Sequence, residues 1–147
     1  MATMTCDNAA VFLLAGHATV TVRSLKTGSH FTYNITKAKN RNIWFVSVLT
    51  GDESYVYVGS MFPGGAFRMT QGSVLQADAP SVQAITYTLR CIYQVKRIPE
   101  TLEVMHDGRC AQCSRTLTHP ESLESGLGPE CAKKIGLRRN AIMCEAA

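Results

Sequence analysis

The 147-residue chain lacks any apolar run approaching the roughly 18–20 residues that cross a bilayer. The short apolar stretch Ala9 to Ala15 has no basic segment before it, so it does not read as an export signal, and a cytoplasmic protein is expected. There is no internal repeat and no low-complexity tract. No Ser/His/Asp arrangement, paired-carboxylate pattern or cofactor fingerprint stands out. Gly64-Gly65 lacks the lysine and the spacing of a phosphate loop and reads as a turn. Histidines number four and tryptophan one. These absences argue against an enzyme, a repeat array and a membrane anchor.

What is present is an ordinary globular composition, with 46% hydrophobic residues and a formal net charge of +4. That charge is compatible with a nucleic-acid partner but far from a histone-like tail. Six cysteines occur at positions 6, 91, 110, 113, 131 and 144. In a chain this rich in core residues and without an export signal, clustered cysteines point to metal rather than disulfides. Cys6 and Cys91 lie far from the cluster in sequence and read as small buried or terminal thiols.

Periodicity divides the chain in two. Residues 1–8 are polar and read as a loose terminus. Over 18–36, Val20 and Val22 alternate with Thr19, Thr21 and Arg23. Phe31, Tyr33 and Ile35 alternate with Thr32, Asn34 and Thr36, and a turn at Lys26–Ser29 makes this a hairpin. Strands are expected at Ile43–Leu49 and Tyr55–Val58, with a short edge strand at Phe67–Thr70. Val82, Ile85, Leu89, Ile92 and Tyr93 then recur at spacings of three and four, the stripe of an amphipathic helix of about four turns. Asp78 or Ser81 would cap it, and it would end near Lys96-Arg97 before Pro99. Residues 99–105 would lead out as a strand. The expected fold is α+β: an antiparallel meander of four to five strands packed by one helix over 9–100, then a small zinc-stabilised module over 101–147.

Cys110-Ala-Gln-Cys113 places two thiolates on a tight knuckle. Gly128-Pro129 reads as a helix start carrying Cys131 in its first turn, where the helix end favours a thiolate. Tetrahedral structural zinc takes four N or S ligands, and Cys-x2-Cys is its usual half-site. Three contenders exist for the fourth position: His106, His119 and Cys144. His106 is preferred, because Asp107-Gly108 can fold it back toward the knuckle. A closed Cys3His shell leaves no position for substrate and makes the zinc structural. Lys133, Lys134, Arg138 and Arg139 follow Cys131 and form the candidate nucleic-acid or partner surface, with Lys26, Lys37, Lys39 and Arg41 as further cations. Tyr55 and Tyr57 share one strand face, where they either stack on bases or pack under a helix.

The stretch His106-Asp-Gly-Arg-Cys-Ala-Gln-Cys-Ser-Arg-Thr-Leu-Thr-His-Pro-Glu-Ser122, followed by Gly126-Leu-Gly-Pro-Glu-Cys-Ala-Lys133, resembles a family of short phage and prophage proteins of unassigned function. The resemblance implies a mobile-element origin, a treble-clef or zinc-knuckle geometry, and a histidine ligand at the position of His106. It implies no activity. The expected function is a non-enzymatic zinc-binding protein that contacts nucleic acid or a nucleic-acid-handling complex in the host cytoplasm. The alternative is an inhibitor of a host protein such as a defence factor, of the anti-CRISPR type. A third is a metal-dependent nuclease using His106 or His119 with Asp107 or Glu121.

Overall fold

The structure is a computed structural model that describes residues 2–51, 54–69, 73, 75–111 and 126–127. Its strands are β1 (Ala2–Thr3), β2 (His17–Ser24), β3 (His30–Lys37), β4 (Trp44–Leu49), β5 (Tyr55–Met61), β6 (Phe67–Arg68) and β7 (Leu102–His106). Helix α1 spans Cys6–Phe12, and α2 spans Pro80–Leu89 and runs on as a π-helical turn over Arg90–Val95. The strands form one antiparallel sheet in the order β1-β7-β2-β3-β4-β5-β6.

The α+β class and the meander are as the sequence leads one to expect, but the sheet is wider. β7 returns after α2 to pair with β2, and β1 pairs with β7. The N-terminal residues are therefore not loose. Ala2–Thr3 extends the sheet and Met4 is buried. The Thr5 side chain caps α1 by accepting from the Asn8 N–H at 3.3 Å. This helix has only seven residues, too few for a recognisable 3.6-residue stripe; packing of Ala9 and Phe12 into the core supports it instead.

Strand alternation sets the core. Val20, Val22, Tyr33, Ile35, Trp44, Val46, Val48 and Val104 point to one face, where both helices lie. Three side-chain bonds fix those helices. The Tyr33 hydroxyl donates to the Ser81 carbonyl, the Trp44 indole to Leu14 and the Tyr93 hydroxyl to Ala10. The stripe of α2 is buried as its spacing requires, through Val82, Ile85, Leu89 and Ile92. Its start differs from expectation. Ala79 is the N-cap, with no side-chain bond, because Pro80 sets the first helical residue. Ser81 falls inside the first turn. Lys96, in the left-handed conformation, ends the π-helical turn.

β5 runs three residues past its expected end. Opposite Val46-Ser47 the pairing skips from Gly59 to Tyr57, leaving Val58 as the extra residue of a β-bulge. The bulge keeps Val58 and Met61 in the core while Tyr57 and Ser60 point the other way.

Candidate metal centre

β7 carries Leu102, Val104 and His106 inward and Glu103 and Met105 outward. His106 thus ends a strand at a position where a core residue is due. It is 1% exposed, and its ring lies 5.5 Å from that of Phe12 on α1. The chain then reverses. The Asp107 carboxylate accepts from the Arg109 N–H at 3.3 Å, and Gly108 takes a φ of +82° that its missing Cβ permits. The turn returns Cys110 to the interior, also 1% exposed. Asp107-Gly108 thus form a turn between two buried residues, His106 and Cys110.

The next residue ties this turn to both sides. The Ala111 carbonyl accepts from the His17 N–H at 2.7 Å, and its own N–H donates to the Gly126 carbonyl at 2.9 Å. Gly126, with φ of +76°, leaves no room for a side chain: a Cβ there would lie 2.3 Å from the Phe12 ring. Leu127 beside it is buried in the same core. Two stretches of the cysteine motif, fifteen residues apart (126 − 111), thus meet over α1 and β2.

A buried imidazole and a buried thiol on the two arms of one turn are the N and S donors that zinc takes. The ring orientation sets a condition. The Gly108 N–H donates to Nδ1 of His106 at 3.0 Å, so the neutral ring carries its proton on Nε2. A metal at Nδ1 takes the lone pair that this N–H occupies. A metal at Nε2 moves the proton to Nδ1 and breaks the same bond. Either way Gly108 must yield, a small rearrangement for a glycine turn. His106 and Cys110 are the two candidate donors among the described residues, and a metal on His106 requires that one adjustment.

Cys113, Cys131, His119 and Cys144 lie outside the described residues, as do Lys133, Lys134, Arg138 and Arg139. Among the described residues no group of three or more His, Cys, Asp or Glu side chains is assembled. The other thiols sit elsewhere. Cys91 is buried, and Cys6 donates to the Ile92 carbonyl at 3.5 Å. Burial first, then Asp7 and Cys91, pushes the Cys6 thiol up, which keeps it protonated.

Among the described residues, the candidate cations do not gather at one end of the sheet. Lys26 is in the β2–β3 turn, whereas Lys39 and Arg41 are in the β3–β4 link at the opposite end of β3. Lys37 places its ammonium 5.8 Å from the Trp44 ring centroid. Tyr55 and Tyr57 project from the sheet face opposite both helices, among the described elements. Phe45, which periodicity alone had not marked, joins them there: its ring meets Tyr57 edge-on at 6.3 Å. The signal was the alternation of Phe45, Ser47 and Leu49 with Val46 and Val48.

A family model described as a family of unknown function (DUF6011) matches residues 100–136. That is about a quarter of the chain, and it takes in β7, His106, Cys110, Cys113 and Cys131. Neither a curated protein nor a solved structure matches. Among the described residues, no helix is long and apolar enough to cross a membrane.

Proposed function

We propose that this chain is a non-enzymatic, zinc-stabilised binding protein of phage or prophage origin whose partner is nucleic acid or a complex that handles it. The observation that carries this is the enclosure of His106 and Cys110, each 1% exposed, on a turn bonded into the sheet domain. A metal held by these two residues together with Cys113 and Cys131 would have four protein ligands. It would order the polypeptide and offer substrate no open position. A nuclease needs that position, which disfavours the catalytic alternative. The metal's contribution would be folding free energy for a segment whose own apolar residues are few.

The partner class rests on charge: a net +4, with Lys133, Lys134, Arg138 and Arg139 close behind the third cysteine. Affinity for DNA or RNA is expected to fall linearly on a log–log plot against salt. Changing those four residues together to Ala should flatten the slope by about three. Salt-insensitive capture of one host protein, with no shift of DNA or RNA, would instead establish the inhibitor alternative.

A further inference from the structure

The helices cover only part of the sheet's inner face. α1 lies toward β7, where Phe12 meets His106, and α2 lies over the middle strands, where Tyr33 on β3 bonds Ser81. Beyond α2, toward the β6 edge, no further α-helix follows among the described elements. The wedge left between α2 and that edge is a cleft of about 570 Å³. Small-molecule sites typically measure roughly 300–1,000 Å³.

Its walls are anchored. On the sheet side Phe67 lays its ring over Gly59, where a Cβ would come within 2.7 Å of that ring. Gly65, in the turn before β6, packs against the Tyr93 ring, and the Tyr93 hydroxyl is tied to the Ala10 carbonyl at 2.8 Å. On the helix side Val82 and Leu89 are held in the core. Met69 adds to the apolar lining. A cleft built this way is largely formed before anything enters it, which lowers the cost of binding.

The rim is polar. Gln83 and Arg90 stand on the exposed side of α2 and its continuation, with Gln94 one turn on. The Gln83 and Gln94 amides and the Arg90 guanidinium have no partner among the described residues. Thr86, by contrast, already donates to the Val82 carbonyl at 2.8 Å. Arg90 is the one charged side chain among the described lining residues, and none of them is a carboxylate.

We infer that this cleft binds a small anionic ligand with a flat apolar body. The body lies against Phe67 and Met69, the negative group meets Arg90, and the two amides bond its polar edge. An arginine fork matches carboxylate, sulfonate or phosphate, and an aromatic wall favours a ring. A cationic ligand would be repelled, and a neutral hydrocarbon would leave the guanidinium and both amides without partners. Nucleoside monophosphates and aromatic carboxylates share the required chemistry. The inference is independent of the cysteine motif and of the nucleic-acid assignment above.

The test titrates the full chain with anilinonaphthalene sulfonate, a ringed anion whose fluorescence rises in apolar sites. Saturable binding of one dye per chain is expected. Arg90→Ala should weaken it about ten- to 150-fold, as for a lost hydrogen bond to a charged group, and Arg90→Lys should weaken it less. Gln83→Trp, whose ring fills the cleft, should abolish binding. Phe45→Ala, on the opposite face of the sheet, should leave it unchanged, and thermal melting should show all four variants folded. Adenosine monophosphate and naphthoate, added as competitors, distinguish a phosphate from a carboxylate ligand, and displacement by either supports the assignment. Absence of dye binding, displacement by neither competitor, or affinity unchanged in both Arg90→Ala and Gln83→Trp overturns it. So does binding that is lost in Phe45→Ala and kept in Gln83→Trp.

Discussion

His106 occupies a site that aliphatic residues fill elsewhere on β7. As a plain core residue it would be replaceable by an apolar ring of similar size. As a metal ligand it would not. His106→Phe separates these roles: the sheet is expected to fold, with near-native melting of its cooperative core, yet the purified protein should lose its zinc. His119→Ala should keep it. Zinc retained in His106→Phe and lost in His119→Ala would reverse the choice of ligand. Tyr33 gives a second residue-level expectation. Burial holds its phenol well above the usual tyrosine range while it donates to the Ser81 carbonyl. A phenol raised on folding favours the folded state fully below the unfolded value of about 10 and loses that contribution as pH rises above it. Stability of the wild type should therefore decline from about pH 10 upward in denaturant titrations. Tyr33→Phe should be less stable at pH 7, by about 1 kcal/mol for the lost bond and the carbonyl it leaves, but should decline less steeply in base.

Among the elements, the segment Gly126-Leu127 shows how closely the cysteine motif is joined to the sheet domain. Gly126→Ala places a methyl against the Phe12 ring and puts strain on a positive φ. A cost of about 1–3 kcal/mol is expected in urea unfolding, with faster proteolysis near that segment. Ile85→Ala in the middle of α2, fully buried, should cost about 2–5 kcal/mol. α2 was legible because five apolar residues repeat at helical spacing. β2 to β5 were legible because Val20, Val22, Val46 and Val48 alternate with polar or half-exposed neighbours. β1 and α1 were not. Two residues carry no alternation, and a seven-residue helix needs its tertiary contacts to exist. The place of β7 was also hidden. Leu102, Val104 and His106 alternate visibly, but the pairing with β2 joins residues some eighty positions apart, and local pattern does not encode a partner at that distance. The bulge at Val58 was hidden for a related reason: it depends on how β5 registers against β4.

For the molecule as a whole, one antiparallel sheet has a helix-covered face and a face open among the described elements, and the turn from His106 to Cys110 joins the start of the cysteine motif to β7, between β1 and β2. Of the candidate centre, the turn after β7 was legible in sequence because Asp107-Gly108 is turn chemistry, while the zinc reading of the Cys-x2-Cys spacing is the proposal made above. Phe45 was not marked, because a phenylalanine in a strand is more often core, and only the register shows which way it points. The central claim is that the enclosed His106 and Cys110 belong to a structural zinc site. Native mass spectrometry of the full chain, before and after a strong chelator, tests it most directly. One zinc per chain is expected, with chelation opening residues 106–140 to protease while the sheet stays folded. A folded chain carrying no zinc, whose 106–140 segment resists protease to the same degree with and without chelator, would contradict it.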